Sequence, residues 1–281
     1  MIKKIDSAKA FLENHLEILA CPFCHQPFKL ENFSLVCSQN HQFDLSKKGT
    51  LYFLTHSIQT EYDKKMLFHR GLMIESGMYQ PVLDKLATVI NLEGTTLDVG
   101  CGEGSFLSEL SKRGAVGPKI GFDISKEGIY LASSQPIDAF WCIADLTNLP
   151  FSDASIDSVL NIFSPSHYNE FNRVLKPEGA VVKIVPEVHY LRELREAFYP
   201  NNPEKQEYSN EKVVAKFAQE MEMTHNERVT YTFEIPEARR LDLLEMSPLE
   251  WQVDRKVKAE IQANPLTSIT IDVRMLKGNR R

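Results

Sequence analysis

A chain of 281 residues, 43% apolar and 25% charged, can bury one large core and still carry a small appendage. Its net charge of −6 excludes a uniformly basic nucleic-acid coat, and five cysteines are too few for a disulfide scaffold. No apolar run nears the roughly 20 residues of a membrane span, so a cytoplasmic protein with no membrane partner is expected.

The N-terminal stretch "MIKKIDSAKAFLENHLEIL" opens with two lysines, as secretion signals do. Glu13, Asn14, His15 and Glu17 break its apolar region, and no small-residue cleavage site follows. Residues 1–20 therefore read as a short amphipathic helical extension. Residues 21–56 follow, dense in turn-formers and short β-type runs such as "SLVCS" and "TLYFL". Within them Cys21, Cys24, Cys37 and His41 stand as Cys-x2-Cys-x12-Cys-x3-His. Two intervening residues let paired side chains meet one ion, and the long loop between the pairs suits a hairpin. Four N/S ligands close a tetrahedron and leave no open position, so a structural zinc is expected. His25, next to Cys24, should stand outside the set. Residues 57–94 read as a helical connector, in which "EYDKKMLFHRGLMIESGMY" has a broad apolar face and Pro81 suits the first turn of "PVLDKLATVI".

From Thr95 to Arg281 the chain alternates strand and helix. "TTLDVG", "KIGFDI", "AFWCIAD", "SIDSVLNIF" and "AVVKIVP" are short apolar strands separated by helical runs, which implies a mostly parallel, doubly wound α/β sheet. Two longer strands, "RVTYTFEI" and "SITIDVRMLK", should end it as an antiparallel pair. The turn "LDVGCGEG" follows the first strand and opens a helix, the place where such sheets bind nucleotides. Gly100 and Gly102 are present, but Ser105 stands where a dinucleotide fingerprint needs its third glycine. Gly-x-Gly-x-Gly after a strand ending in Asp98 is the pattern of Rossmann-like, class I S-adenosylmethionine-dependent methyltransferases. Asp123 ends the second strand, where a carboxylate can accept both ribose hydroxyls, and Asp145 ends the third, beside the expected adenine. Charge is uneven: residues 1–70 hold nine Lys/Arg against seven Asp/Glu, the remainder 23 against 31. A polyanion would therefore meet the front of the chain, where Lys47, Lys48, Lys64, Lys65, His69 and Arg70 lie.

The segments "CPFCHQPF", "NHQFDLSKKG", "SGMYQPV", "LDVGCGEGSF", "GFDISK", "LPFSDASID" and "VLKPEGAVVKIVPEVHYLRELR" together give a sequence that resembles the RlmA-type 23S rRNA guanine-N1 methyltransferases. That group includes relatives that confer macrolide resistance by methylating a neighbouring hairpin-loop guanine. The resemblance covers nearly all of residues 21–281. It implies zinc ligands at Cys21, Cys24, Cys37 and His41, and contacts to S-adenosylmethionine from Tyr79, Gly102, Glu103 and His189. It also implies large-subunit rRNA as partner, N1 of a hairpin-loop guanine as acceptor, and a homodimer that forms an RNA cleft. The 20-residue leader departs from the family pattern, and "NIFSPSH" at Asn161–His167 offers no matching catalytic side chain, so no catalytic residue is assigned. Glu103, His167 and His189 are the titratable groups available to take the N1 proton, and Phe163 or Tyr168 could stack on a flipped base. Two other readings share these motifs: a small-molecule methyltransferase with a structural zinc clip, and a non-catalytic zinc-ribbon RNA-binding protein. The positive front weighs against the first, and the intact Asp98, Gly100, Gly102 and Asp123 against the second.

Overall fold

A computed structural model describes residues 3–55 and 63–281. Helix α1 (Lys4–His15) buries Ala8, Phe11 and Leu12, and Phe11 stacks on Phe140 of the central sheet with 5.4 Å between ring centres. A small antiparallel sheet follows, β1 (Phe28–Glu31), β2 (Ser34–Cys37) and β3 (Gln42–Asp44), in that order. Asn32 turns its first hairpin at φ 57°, a conformation asparagine tolerates better than most residues. Strand β4 (Thr50–Tyr52) then leaves this sheet and runs parallel to β7 (Phe140–Ile143), Thr50 opposite Trp141. Leu51 is wholly buried there, and burial of that side chain is reason enough for "TLYFL" to join the large sheet. Residues 21–55 thus divide between the cysteine-bearing hairpins and the sheet's outer edge.

The large sheet also contains β5 (Thr96–Val99), β6 (Lys119–Asp123), β8 (Ile156–Ile162), β9 (Leu175–Pro186), β10 (Glu222–Glu234) and β11 (Ser268–Asn279). Its order is β10-β11-β9-β8-β5-β6-β7-β4. Strands β9 through β4 are mutually parallel, while β11 is antiparallel to both β9 and β10. From β5 the chain proceeds outward through β6 and β7, then returns to β8 on the opposite side of β5. The crevice at this reversal is where open α/β sheets hold ligands.

Helices α2 (Lys64–Glu75) and α3 (Gln80–Val89) precede β5. Asp63 caps α2 by accepting from Met66 N at 2.7 Å, and Pro81 sits in the first turn of α3. Helices α4 (Ser105–Lys112), α5 (Lys126–Ala132), α6 (Tyr168–Val174) and α7 (Arg192–Phe198) follow β5, β6, β8 and β9. Helix α6 passes directly into β9, and Pro177 keeps the backbone at Lys176 extended. The apolar core lies on both faces of the sheet. One face packs against α3 and α4; the other holds Phe140, Phe151 and Phe171 together with Phe11, Leu12 and Leu19 of the N-terminal segment. The cysteine-bearing hairpins and the sheet therefore share one core.

Candidate methyl-donor and substrate cavities

Strand β5 carries Asp98 to the sheet's carboxyl edge, and the chain then turns through Gly100, Gly102 and Gly104 at φ 69°, 54° and 81°. Side chains are disfavoured in this left-handed region. At Gly100 space excludes one as well, since a Cβ would lie 2.8 Å from Ser164 Cβ. Asp98 is 1% exposed, and its Oδ2 has no hydrogen-bond partner. Burial, aided by the Glu103 and Asp123 carboxylates, pushes its carboxyl up to about 8. Glu103 and Asp123 are also raised by burial, with Arg70 opposing the shift in each. Asp123 braces the turn: its Oδ2 accepts from Gly102 N at 2.9 Å, and its Oδ1 from Ser125 N at 2.8 Å.

Two cavities flank the turn. The smaller, of about 250 Å³, is lined by Asp123, Ile124, Ser125, Asp145 and Leu146. The larger, of about 650 Å³, is lined by Tyr79, Asp98, Glu103, Tyr190, Arg195 and Trp251 among others. Arg70, Gly100, Gly102, Ile162 and Phe163 belong to both walls. Phe163 stands at this seam with φ 54°, a strained value for an aromatic residue. Its ring centre lies 5.6 Å from that of Tyr79 and 5.3 Å from that of Tyr190, and the Tyr79 and Tyr190 hydroxyls are 2.5 Å apart. Volume and lining suit a nucleoside-sized ligand in the smaller space and a second molecule in the larger.

Of the residues singled out from sequence, Tyr79, Asp98, Gly100, Gly102 and Glu103 line one or both cavities, and Asp123 and Asp145 line the smaller. Asp145 Oδ1 is already engaged, accepting from Thr147 N and Oγ1 at 2.8 Å each, so its carboxylate shapes the loop. His189 lines neither space; it is exposed, and its backbone N–H donates to Asp272 Oδ2 at 2.9 Å. His167 is not a cavity residue either, because it caps α6 by accepting from Glu170 N. Tyr168 turns to the opposite side and packs edge-on against Phe171 and Phe217, which removes it as a stacking surface. Arg70, Tyr190, Arg195 and Trp251 were assigned no role at this site from sequence, although Tyr190 and Arg195 lie in the segment "VPEVHYLRELR" and Arg70 among the front cations. They converge only because α2 and the long passage between β9 and β11 fold over the same crevice.

The four metal-ligand candidates form a second site. Cys21 Sγ lies 3.4 Å from His41 Nδ1, Cys37 Sγ 3.3 Å from the same nitrogen, and Cys24 Sγ 3.5 Å from Cys37 Sγ. All four ligand atoms fall within 4.8 Å of one another. Zn–S bonds of about 2.3 Å set tetrahedral thiolate pairs roughly 3.8 Å apart, so three sulfurs and one imidazole fit a zinc ion at this spacing. His25 is exposed at φ 54° and lies outside the cluster.

Residues 19–54 match the family described as RlmA, N-terminal, and residues 97–182 match a methyltransferase domain. YxjB of Bacillus subtilis, provisionally named a 23S rRNA (guanine-N(1)-)-methyltransferase, is 36% identical over 272 residues, covering 92% of this chain and 95% of its own. The chain belongs to the RlmA-type 23S rRNA guanine-N1-methyltransferase family. It is a methyltransferase of the S-adenosylmethionine-dependent fold with a zinc ribbon. The 23S rRNA (guanine(748)-N(1))-methyltransferase of Streptomyces fradiae is 25% identical, covering 86% of this chain and 89% of its own. A solved complex of the Haloferax volcanii Trm112 methyltransferase activator with a methyltransferase matches at TM-score 0.53 and 19% identity, covering 80% of this chain and 99% of the matched one, a likeness of fold.

Proposed function

We propose that this enzyme transfers a methyl group from S-adenosylmethionine to N1 of a guanine in a hairpin loop of 23S rRNA. One observation carries the reading. The glycine turn leaves a buried carboxylate, Asp98, unpartnered beside an aromatic cavity, in a chain whose first part matches the RlmA zinc ribbon. An orphaned buried acceptor invites a cationic donor, and the amino-acid end of S-adenosylmethionine offers an ammonium. Asp98 and Glu103 would hold that end, Gly100 and Gly102 would let backbone approach it, and Asp123 would accept the ribose hydroxyls in the smaller cavity. Tyr79 would form the wall beside the transferred group, while His189 would contribute from outside the cavity at most. When bound, the donor supplies an electrophilic methyl on a sulfonium. What the chain's own residues do is position an acceptor against it, exclude water and bind the RNA.

Cys21, Cys24, Cys37 and His41 would hold the zinc that fixes the ribbon, whose neighbouring Lys47 and Lys48 are exposed for phosphate contact. A homodimer forming a cleft for the RNA belongs to the same proposal and is checked by light scattering. With ribosomal RNA as substrate, the protein would work in the cytoplasm; no described helix is long and apolar enough to cross a membrane.

Mass spectrometry of 23S rRNA from cells with and without the protein is the test. A single N1-methylguanine in a hairpin loop should disappear with the protein and return when purified enzyme and donor are added to the unmodified rRNA. Donor binding without any rRNA methylation would favour the small-molecule reading, and absence of donor binding would favour the non-catalytic one.

A further inference from the structure

The larger cavity holds a charged side chain without a counterpart. Arg195 on α7 is only 5% exposed, and its Nη2 donates to Val188 O at 2.5 Å, but Nε and Nη1 have no hydrogen-bond partner. The nearby carboxylates are committed elsewhere: exposed Glu196 bears on Arg195 from solvent but lies 3.9 Å from Arg192, and the others are held by partners of their own. Glu193 accepts from Thr270 N and Oγ1 at 2.8 and 2.5 Å, Asp272 is forked by Arg228 at 2.8 and 2.7 Å, and Glu187 pairs with Arg274. Among the described residues Arg195 makes no ion pair. A buried guanidinium left this way is destabilising unless an acceptor arrives. Its position on the cavity wall says where the acceptor comes from.

We infer that Arg195 receives the O6 keto oxygen of the target guanine and is the specificity-determining contact for the base, an inference that rests on the rRNA reading above. The surroundings favour a base over a phosphate. Phe163 and Tyr190, ring centres 5.3 Å apart, line the same cavity and make its wall aromatic, as a planar heterocycle prefers. A phosphate keeps its water, and of the other two cations at this cavity, half-buried Arg70 and exposed Lys205, the exposed one suits it. Adenine presents an amino group at the same place, so two donors would face each other and the base would be refused.

The contact also bears on the reaction. Neutral guanine carries a proton on N1, which must pass to bulk solvent before the base is enclosed and the nitrogen attacks. The N–H bonding pair then remains on the base as charge shared between N1 and O6. A fixed guanidinium at O6 stabilises that charge as it develops. The N1 pair forms the new N–CH3 bond while the S–CH3 bond breaks, and the products are N1-methylguanine, S-adenosylhomocysteine and a proton.

Single-turnover methylation of an isolated 23S hairpin by the full-length enzyme, Arg195→Gln and Arg195→Lys tests this. Donor binding by calorimetry and a melting curve establish that each variant is folded. Arg195→Gln should be slower by about 100- to 1,000-fold, the usual loss of one donor to a developing oxyanion, with donor affinity unchanged. Its rate-against-pH midpoint should move upward, because the N1 anion has lost its partner, and Arg195→Lys should restore part of the rate. A hairpin carrying 6-thioguanine, whose sulfur is a poorer acceptor, supplies a cycle: the defect of Arg195→Gln should shrink on it. If Arg195→Gln fails to fold, a wild-type enzyme that methylates the thio hairpin as fast as the oxo one overturns the inference. So does a folded Arg195→Gln enzyme within threefold of wild type. So, too, does a salt dependence of binding that flattens by about one phosphate while the pH profile stays put, since that would assign Arg195 to the backbone. A wild-type protein that leaves guanine N1 untouched sinks the rRNA reading itself, before any variant is compared.

Discussion

Asp98 is the residue whose physical state is most unusual. Its carboxyl is buried near the end of β5 and feels Glu103 and Asp123 as like charges, whereas Arg70 acts on those two acids. With its ionisation pushed up to about 8, it is mostly protonated at neutral pH before ligand arrives. A folded value above the ordinary carboxylate range means that its contribution to stability is full at acid pH and declines as pH rises towards about 8. Binding of a cation at Asp98 reverses the preference and should expel a proton. Calorimetry of S-adenosylmethionine at pH 7 in buffers of different ionisation enthalpy should therefore show release approaching one proton. Asp98→Asn should abolish that release and weaken donor affinity by about tenfold or more, equivalent to at least ~1.4 kcal/mol. Binding with no proton release would mean that Asp98 does not meet the charged end of the donor.

At the scale of elements, the zinc ribbon is not a bead on a string. Ala20 N donates to Pro150 O at 3.1 Å, Asn148 Nδ2 donates to Pro22 O at 2.8 Å, Leu19 bridges Phe151, and β4 closes the edge of the large sheet. Replacing one ligand, as in Cys24→Ser, should therefore lower a single cooperative unfolding transition, at roughly 2–4 °C per kcal/mol for a domain of this class. A chelator should do the same to the wild-type protein. A separate early transition in differential scanning calorimetry, with the main one unmoved, would show that the hairpins unfold alone. This coupling was hidden in the sequence because "TLYFL" reads as one more short strand near the cysteines, and nothing local says which sheet it joins. The strands β5 to β9, the antiparallel β10 and β11, and the glycine turn were legible, since each rests on contiguous residues with a period or a spacing. Arg195, Tyr190 and Trp251 were not, because their meaning depends on chain crossings and on which carboxylates are already occupied. His167 illustrates the converse. By residue type it suits a proton acceptor, yet its ring nitrogen caps a helix.

Across the whole molecule the question is how a protein of net charge −6 meets a polyanion. The cations of the front part are unequal. Lys65 is paired with Glu245 at 2.8 Å and so partly compensated, and the His69 ring is held by Asp242, Nδ1 to Oδ1 at 2.7 Å. Lys47 and Lys48 are exposed just beyond the metal hairpins, and Lys48 Nζ lies 4.1 Å from the centre of the Tyr130 ring. That ring steadies a cation without neutralising it, so both charges stay available to phosphate. Reversing them, Lys47→Glu with Lys48→Glu, should weaken hairpin binding and reduce the slope of log affinity against log salt by about 0.7 for each single-strand phosphate no longer neutralised. Donor affinity should stay as in wild type, because neither residue lines either cavity and salt screens exposed charges. Filter binding of a 23S hairpin at two salt concentrations is sufficient to read the slope. If affinity and slope are both unchanged, the grip is not on this turn, and exposed Lys64 at the start of α2 becomes the next position to reverse.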